Sequence, residues 1–466
     1  AVSLTRLDPE HSETDATAVL LLAGATCLVH GQPFPRELLM GMLSTDDPHL
    51  PDDALRRLLA LGLLERSGGQ LRLHRLLARF VEDGLSRQDA KGGEDATREV
   101  SNLGVMGIVQ AGIEGAVERA LRDANHRGDP RPLRGVENHL RHVIDRAKGR
   151  EDSAAAWLCN ELGYYLKMSG DLMGARLYLE WAVTMRECLC GREHQTVAQQ
   201  ADIATSLNNL GALLDDIGDL AEARMCHERA LAIRERILGP KHLNTAQSFN
   251  NLGSLLQKMG DLAGARLYYE LALSIYTGVL GPGHPDTAMS HNNLGLLLKT
   301  QGDLAGARVH YKQALIIREQ VLGLEHASTA GSLNNYGLLL QEMGDLGGAR
   351  VYCEQALAIR ERILGLEHPD TARTLNNLGG LLQAQGDFAG ARKHYERALS
   401  IRVRVLGPEH PDTAQSLNNL GMLLYSQADL AGARPCFERA LAIFTAKLGP
   451  DHTHTRIVRD NLAALS

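Results

Sequence analysis

Seven cysteines are scattered through the 466 residues with no C-x-x-C pair; Cys188 and Cys190 form only a C-x-C. The odd count and poor spacing exclude a disulfide framework and point to a reducing compartment. Long apolar runs are missing as well. The longest near the start, Val19–Val29, is too short to span a bilayer, and it lacks the basic flank and cleavage pattern of a signal peptide. The expected setting is cytoplasmic, with no membrane attachment. Positive charge is not in excess: the formal net charge is −7, which disfavours a general nucleic-acid or membrane-surface binder. Catalytic signatures are absent too. The chain has no G-x-x-x-x-G-K-[S/T] phosphate loop, no G-x-S-x-G, no H-E-x-x-H and no Cys/His set with zinc spacing. Gly104, Gly107, Gly112 and Gly115 follow no strand and precede no Gly-Lys-Ser/Thr, so they are not a phosphate loop either. The expectation is a non-enzyme with no metal site and no cofactor of its own. The sequence also lacks a Met at position 1, which raises the expectation of a piece cut from something longer.

What the chain has is a repeat. Asn-Asn-Leu-Gly returns every forty-two residues at Asn208–Gly211, Asn250–Gly253, Asn292–Gly295, Asn376–Gly379 and Asn418–Gly421, with Tyr336 replacing Leu in Asn334–Gly337. Gly-Asp-Leu-Ala-Gly-Ala-Arg and Leu-Gly-Pro-x-His-Pro-Asp-Thr-Ala repeat in phase with it. A worn copy begins near Asn160, six residues are inserted around Gln195–Ile203, and Asp460–Ala463 closes the series as a lone helix. A fixed period of this size means a stack of like units rather than a globule around one core.

One unit reads as two antiparallel helices. Leu207, Leu210 and Leu214 recur at helical spacing, and Gly211 on the same side lets a neighbouring helix come close. Gly218 ends the first helix, Asp219 caps the second, and Gly239-Pro240 stops that one near Leu238. These residues resemble the tetratricopeptide repeat, and the forty-two-residue length with its Leu-Asn-Asn-Leu and His-Pro-Asp-Thr-Ala strings is most similar to the kinesin light chain type. The resemblance covers about 153–466. It implies an all-α superhelix whose first helices line a concave groove that takes a protein or peptide.

Turning about 100° per residue, the side of each first helix opposite its leucines carries one set of residues per unit. That set contains Asn209; Asn251 and Lys258; Met289, Asn293 and Leu296; Asn335 and Leu338; Arg373 and Asn377; and Asn419. The second Asn of each pair thus forms a row along the groove floor. An amide both donates and accepts, so it can hold a peptide backbone whatever its side chains are, and Met289, Leu296 and Leu338 add apolar area. The alternative is that the Asn row ties adjacent helices together. The first Asn of each pair falls on the flank. His194, His242, His284, His326, His368, His410 and His452 recur once per unit, too far apart for neighbours to share an ion, so a loop role is expected. The Asp219 series reads as helix caps. The Arg224 series reads as a solvated face or as pairing between units.

Residues 1–88 lack the period. Helices at Ala16–His30, up to Leu43, and at Asp52–Leu61 precede a hairpin of Leu63–Glu65 and Leu71–Leu73 about Ser67-Gly68-Gly69, and a last helix at Arg75–Leu85 follows. This is a winged-helix layout. DNA binding is disfavoured: residues 1–90 hold nine Lys and Arg against thirteen Asp and Glu. Ala54–Leu64 with Leu71–Leu76 instead resembles the winged-helix module of the STAND signalling ATPases, the NB-ARC group. There Leu73-His74-Arg75 stands in the place of a Met-His-Asp motif whose His contacts the phosphate of a bound nucleotide. The resemblance implies that His74 senses ADP or ATP held by an upstream nucleotide-binding domain, with oligomerisation on activation. Residues 89–152 read as a helical connector, with helices at Val100–Asn125 and Val136–Ala147. The whole reads as the ligand-sensing half of a signalling protein. A tetratricopeptide scaffold or adaptor is the alternative, and a winged-helix transcription regulator is the second alternative.

Overall fold

The computed structural model describes residues 6–9, 12–29, 31–43, 47–61, 63–67, 69–73, 81, 96–190 and 196–465, with backbone only at 96–108 and 190. The chain divides into two compact units, Ala1–Tyr165 and Leu166–Ser466.

The first unit opens with α1 (Glu13–Thr26), whose N-cap Ser12 accepts from the Asp15 N–H. α2 (Arg36–Met40) and α3 (Leu50–Ala60) follow. The expected hairpin is present as β2 (Glu65–Ser67) and β3 (Gln70–Arg72). A further strand, β1 (Pro33–Phe34), pairs antiparallel with the other edge of β3, so the order is β1-β3-β2. This strand carries no signal in the sequence. Two residues give no alternation to detect, and an edge position tolerates a proline without an N–H. The helix expected at 75–85 lies outside the described residues apart from the buried Val81, and so does His74.

The connector segment forms α4 (Ala96–Arg127), the short α5 (Arg131–Arg134) and α6 (Glu137–Lys148), broken at Gly128 with its φ of 63°. His139 of α6 joins two parts of this unit. Its Nδ1 accepts from the Val29 N–H at 3.0 Å, and its Nε2 lies 3.0 Å from the Pro33 carbonyl. Burial holds this imidazole below its usual pKa. α7 (Ser153–Ser169) runs across the boundary between the units.

The second unit is a run of helix pairs. After α8 (Leu172–Cys190) come the first helices α9 (Val197–Ile217), α11 (Leu243–Met259), α13 (Pro285–Thr300), α15 (Ala327–Glu342), α17 (Pro369–Ala384) and α19 (Pro411–Ser426). Between them lie the second helices α10 (Leu220–Leu238), α12 (Leu262–Leu280), α14 (Leu304–Leu322), α16 (Leu346–Ile363), α18 (Phe388–Val405) and α20 (Leu430–Leu448). α21 (Thr453–Ala463) closes the series. The Asn-Asn-Leu-Gly glycine is where a pair locks. A β-carbon at Gly253 would sit 2.8 Å from the Tyr269 ring, and one at Gly421 would sit 2.7 Å from the Phe437 ring. No side chain larger than hydrogen fits there without moving a buried aromatic ring. Four of the six inserted residues lengthen a helix. α9 has 21 residues against 17 in α11, and it starts with a capping box formed by Thr196 and Gln199. Among the described residues, no helix is long and apolar enough to cross a membrane.

Candidate functional site

The strings between units set the first helices in place. In each His-Pro-Asp-Thr-Ala copy the histidine is the N-cap. His368 Nδ1 accepts from the Asp370 N–H at 3.1 Å, and His242, His284, His326, His410 and His452 repeat the bond. The expected loop role is therefore a specific one, and His194 lies outside the described residues. The threonine hydroxyl donates back to the glycine carbonyl before the loop, as from Thr371 to Gly365 at 3.0 Å. The Asp series also caps: Asp261 accepts from the Gly264 N–H at 2.9 Å. Of the two expectations for the Arg224 series, the solvated face is the one found. Arg224, Arg266, Arg350 and Arg392 pair four residues on, within their own helices, with Glu228, Glu270, Glu354 and Glu396. A partner one helical turn away is nearer than any in the next unit.

The face read as the groove floor is the solvent-reaching face of the first helices. Asn209, Asn251, Asn293, Asn335, Asn377 and Asn419 are half-buried, whereas Asn208, Asn250, Asn334, Asn376 and Asn418 are buried. The two rows are joined. Asn293 donates to Asn250 at 3.5 Å, Asn335 to Asn292 at 2.8 Å and Asn377 to Asn334 at 3.1 Å. The first Asn reaches forward in turn: Asn208 to Ser248 and Asn376 to Ser416 at 2.9 Å. So part of each amide ties helix to helix. The remainder faces outward: among the described residues the carbonyls of Asn293 and Asn377 accept no hydrogen bond. Asn419 Oδ1 accepts from Gln415, and Asn209 has contacts of its own.

The other floor residues divide by environment. Leu296 is 43% exposed, and Met289 and Leu338 are half-buried beside their asparagines. Lys258 is paired with Asp215 at 2.9 Å across the unit boundary. Arg373 is exposed and bonded to Asp370 at 3.0 Å. Lys299 with Glu342, at 2.7 Å, adds a further rung.

Sequence reading missed a row of buried arginines. Arg186, Arg234, Arg360 and Arg402, with the half-buried Arg318, reach from a second helix into the following first helix. Arg234 donates to the Asn244 carbonyl, to Ser248 and to Gln247, one turn before Asn251, at 3.2 Å. The guanidinium of Arg360 lies 3.7 Å from where a β-carbon at Gly331 would stand. Arg234, Arg318, Arg360 and Arg402 donate to carbonyl, amide and hydroxyl oxygens. Among the described residues none of these four makes an ion pair with a carboxylate. Burial lowers their pKa, that of Arg360 to about 10. The signal was in the sequence, since Arg318, Arg360 and Arg402 keep the forty-two-residue step. Among the described residues no three His, Cys, Asp or Glu side chains converge on a metal-sized site.

The tetratricopeptide repeat model matches residues 202–277, 249–320, 328–402, 370–446 and 417–465. These spans take in more than half of the chain, which belongs to the tetratricopeptide repeat family. That fold is a non-catalytic one used for protein–protein interaction. No curated protein matches the chain. Among solved structures it is similar to BtubC (BKLC) from P. vanneervenii, at 25% identity over 51% of this chain and 92% of that one, with a TM-score of 0.42. It is also similar to a putative kinesin light chain with nearly identical repeats from Podosopora anserina, at 24% identity over 44% and 97%, with a TM-score of 0.37. A Rap protein complexed with competence and sporulation factor aligns at 13% identity over 76% and 99%, with a TM-score of 0.45.

Proposed function

We propose that the chain is an interaction scaffold that holds an extended polypeptide segment along the floor of its first helices. The observation that carries this reading is the half-spent asparagine row. Asn293 and Asn377 are each fixed by one bond to the preceding unit, and Asn335 by that bond and a second from Asn334, so the groups left over are held in a set orientation at unit spacing. Amides held in place pay little ordering cost when they meet a peptide backbone. Met289, Leu296 and Leu338 supply apolar area between them. The buried arginines place positive charge beneath this floor, which favours a segment carrying carboxylates. Affinity for peptides selected by display against the full chain tests the reading. The double variant Asn293→Ala with Asn335→Ala is expected to weaken binding about tenfold or more, the equivalent of about 1.4 kcal/mol, with helical content unchanged. Undiminished affinity removes the floor from the binding site.

A second reading, in which binding is relayed through the first unit to a nucleotide-binding domain, has one feature in its favour: the three helices α1 to α3 with a three-stranded antiparallel sheet among the described residues of 13–72. It requires a phosphate-binding loop encoded ahead of Ala1, and reading that part of the gene decides it.

A further inference from the structure

Two of the capping histidines do more than cap. The turns inside the helix pairs carry Gly170, Gly218, Gly260, Gly302, Gly344 and Gly386, all with φ between 80° and 94°. A β-carbon on Gly260, Gly302, Gly344 or Gly386 would meet nothing within 4 Å. On Gly170 it would lie 2.6 Å from Cδ2 of His410, and on Gly218 it would lie 2.8 Å from Cδ2 of His452. Both contacts fall within the second compact unit, yet they join residues far apart in the chain. Gly170 precedes α8 and Gly218 precedes α10, whereas His410 and His452 cap α19 and α21. The His410 ring is used on both sides. Its Nδ1 accepts from the Asp412 N–H at 3.0 Å, so Nε2 holds the proton and bonds the Met168 backbone.

We propose that these two contacts form a clasp, in which the turns ahead of α8 and α10 seat on the His410 and His452 rings, close the stack on itself and fix its pitch. Stacked units with small rotations between neighbours have a soft pitch, because each unit touches only the next. A contact between the two ends of the run removes that freedom. The spacing of the floor amides is then set by the clasp as well as by neighbour packing. A partner that needs a wider floor has to break it.

The sequence supplies its own control. Ala428, at φ 60°, occupies the same turn position ahead of α20, so the turn itself accepts a β-carbon. The left-handed backbone is shared by all six glycines, and only two of them face a ring. The test compares Gly170→Ala with Gly218→Ala against Gly302→Ala with Gly344→Ala in the full chain. X-ray scattering reads the maximum dimension, and amide exchange reads the caps of α19 and α21. The first pair is expected to lengthen the particle and speed exchange at 410–414 and 452–456, while the second leaves both unchanged. Equal behaviour of the two pairs overturns the clasp. Should the first pair fail to fold, His410→Asn with His452→Asn keeps a capping acceptor and removes the ring. Its comparison with His326→Asn and His368→Asn is read in the same way.

Discussion

Position by position, the repeat explains its own exceptions. His227 stands where other units place Tyr269, Tyr311, Tyr395 or Phe437 against the pair-locking glycine. It is 2% exposed, with Nδ1 3.0 Å from Asn208 Oδ1, and burial brings its pKa down to about 4. An unfolded histidine titrates near 6.5. The unfolded chain therefore takes up a proton first as pH falls, and the stability held by the neutral ring is complete above about 6.5 and drains away toward 4. The loss is at most about 3 kcal/mol. His227→Tyr is expected to shrink the difference between denaturant midpoints at pH 8 and pH 5; an unaltered difference would show that this ring does not govern the acid sensitivity. The arginine row gives a second case. Tyr276 and Phe444 occupy the register of Arg234, Arg318, Arg360 and Arg402. A buried cation without a carboxylate gains little over a packed ring. Arg360→Phe should leave stability within about 1–2 kcal/mol of the parent, and urea unfolding measures it.

Helices show what a pattern can and cannot disclose. The leucine spacing, the Gly-Asp turn and the closing Gly-Pro mark α10 at both ends, because each signal acts on the backbone next to it. The histidine caps were harder to see. A cap needs an extended φ and ψ, which His368 has at −81° and 142°, and no residue type announces that by itself. β1 was hidden for a different reason: its pairing with β3 is set by tertiary position, not by its two residues. α20 carries Pro435 inside the helix, where neighbouring units have Val351 or Lys393. An interior proline removes one helical bond and crowds the preceding turn, at a cost of about 3 kcal/mol. Pro435→Lys is expected to stabilise the protein by about 1–3 kcal/mol in denaturant unfolding. No gain would mean that the start of α20 already accommodates the ring.

Over the whole molecule, the stack was legible because a period survives any local wear. The more exposed side of the first helices was legible too, since helical phase alone separates it from the leucine side. The division of each asparagine between its neighbour and solvent was not legible, because it depends on the offset between adjacent units. Contact between Gly170 and His410 was further out of reach, as pitch accumulates over many small rotations. A stack also needs a closed end. α21 covers Val458 against a core that includes Phe437, Ile443 and Phe444. Removal of residues 449–466 would bare that face, and a fall in solubility with a broader unfolding transition is the expected outcome.

The central claim is that the open face of the first helices holds the ligand. Amide hydrogen exchange of the full chain, with and without a saturating display-selected peptide, addresses it directly. The account predicts slowed exchange concentrated in α13, α15 and α17, with α12, α14 and α16 little changed. Protection confined to those second helices, or to the first unit, would contradict it.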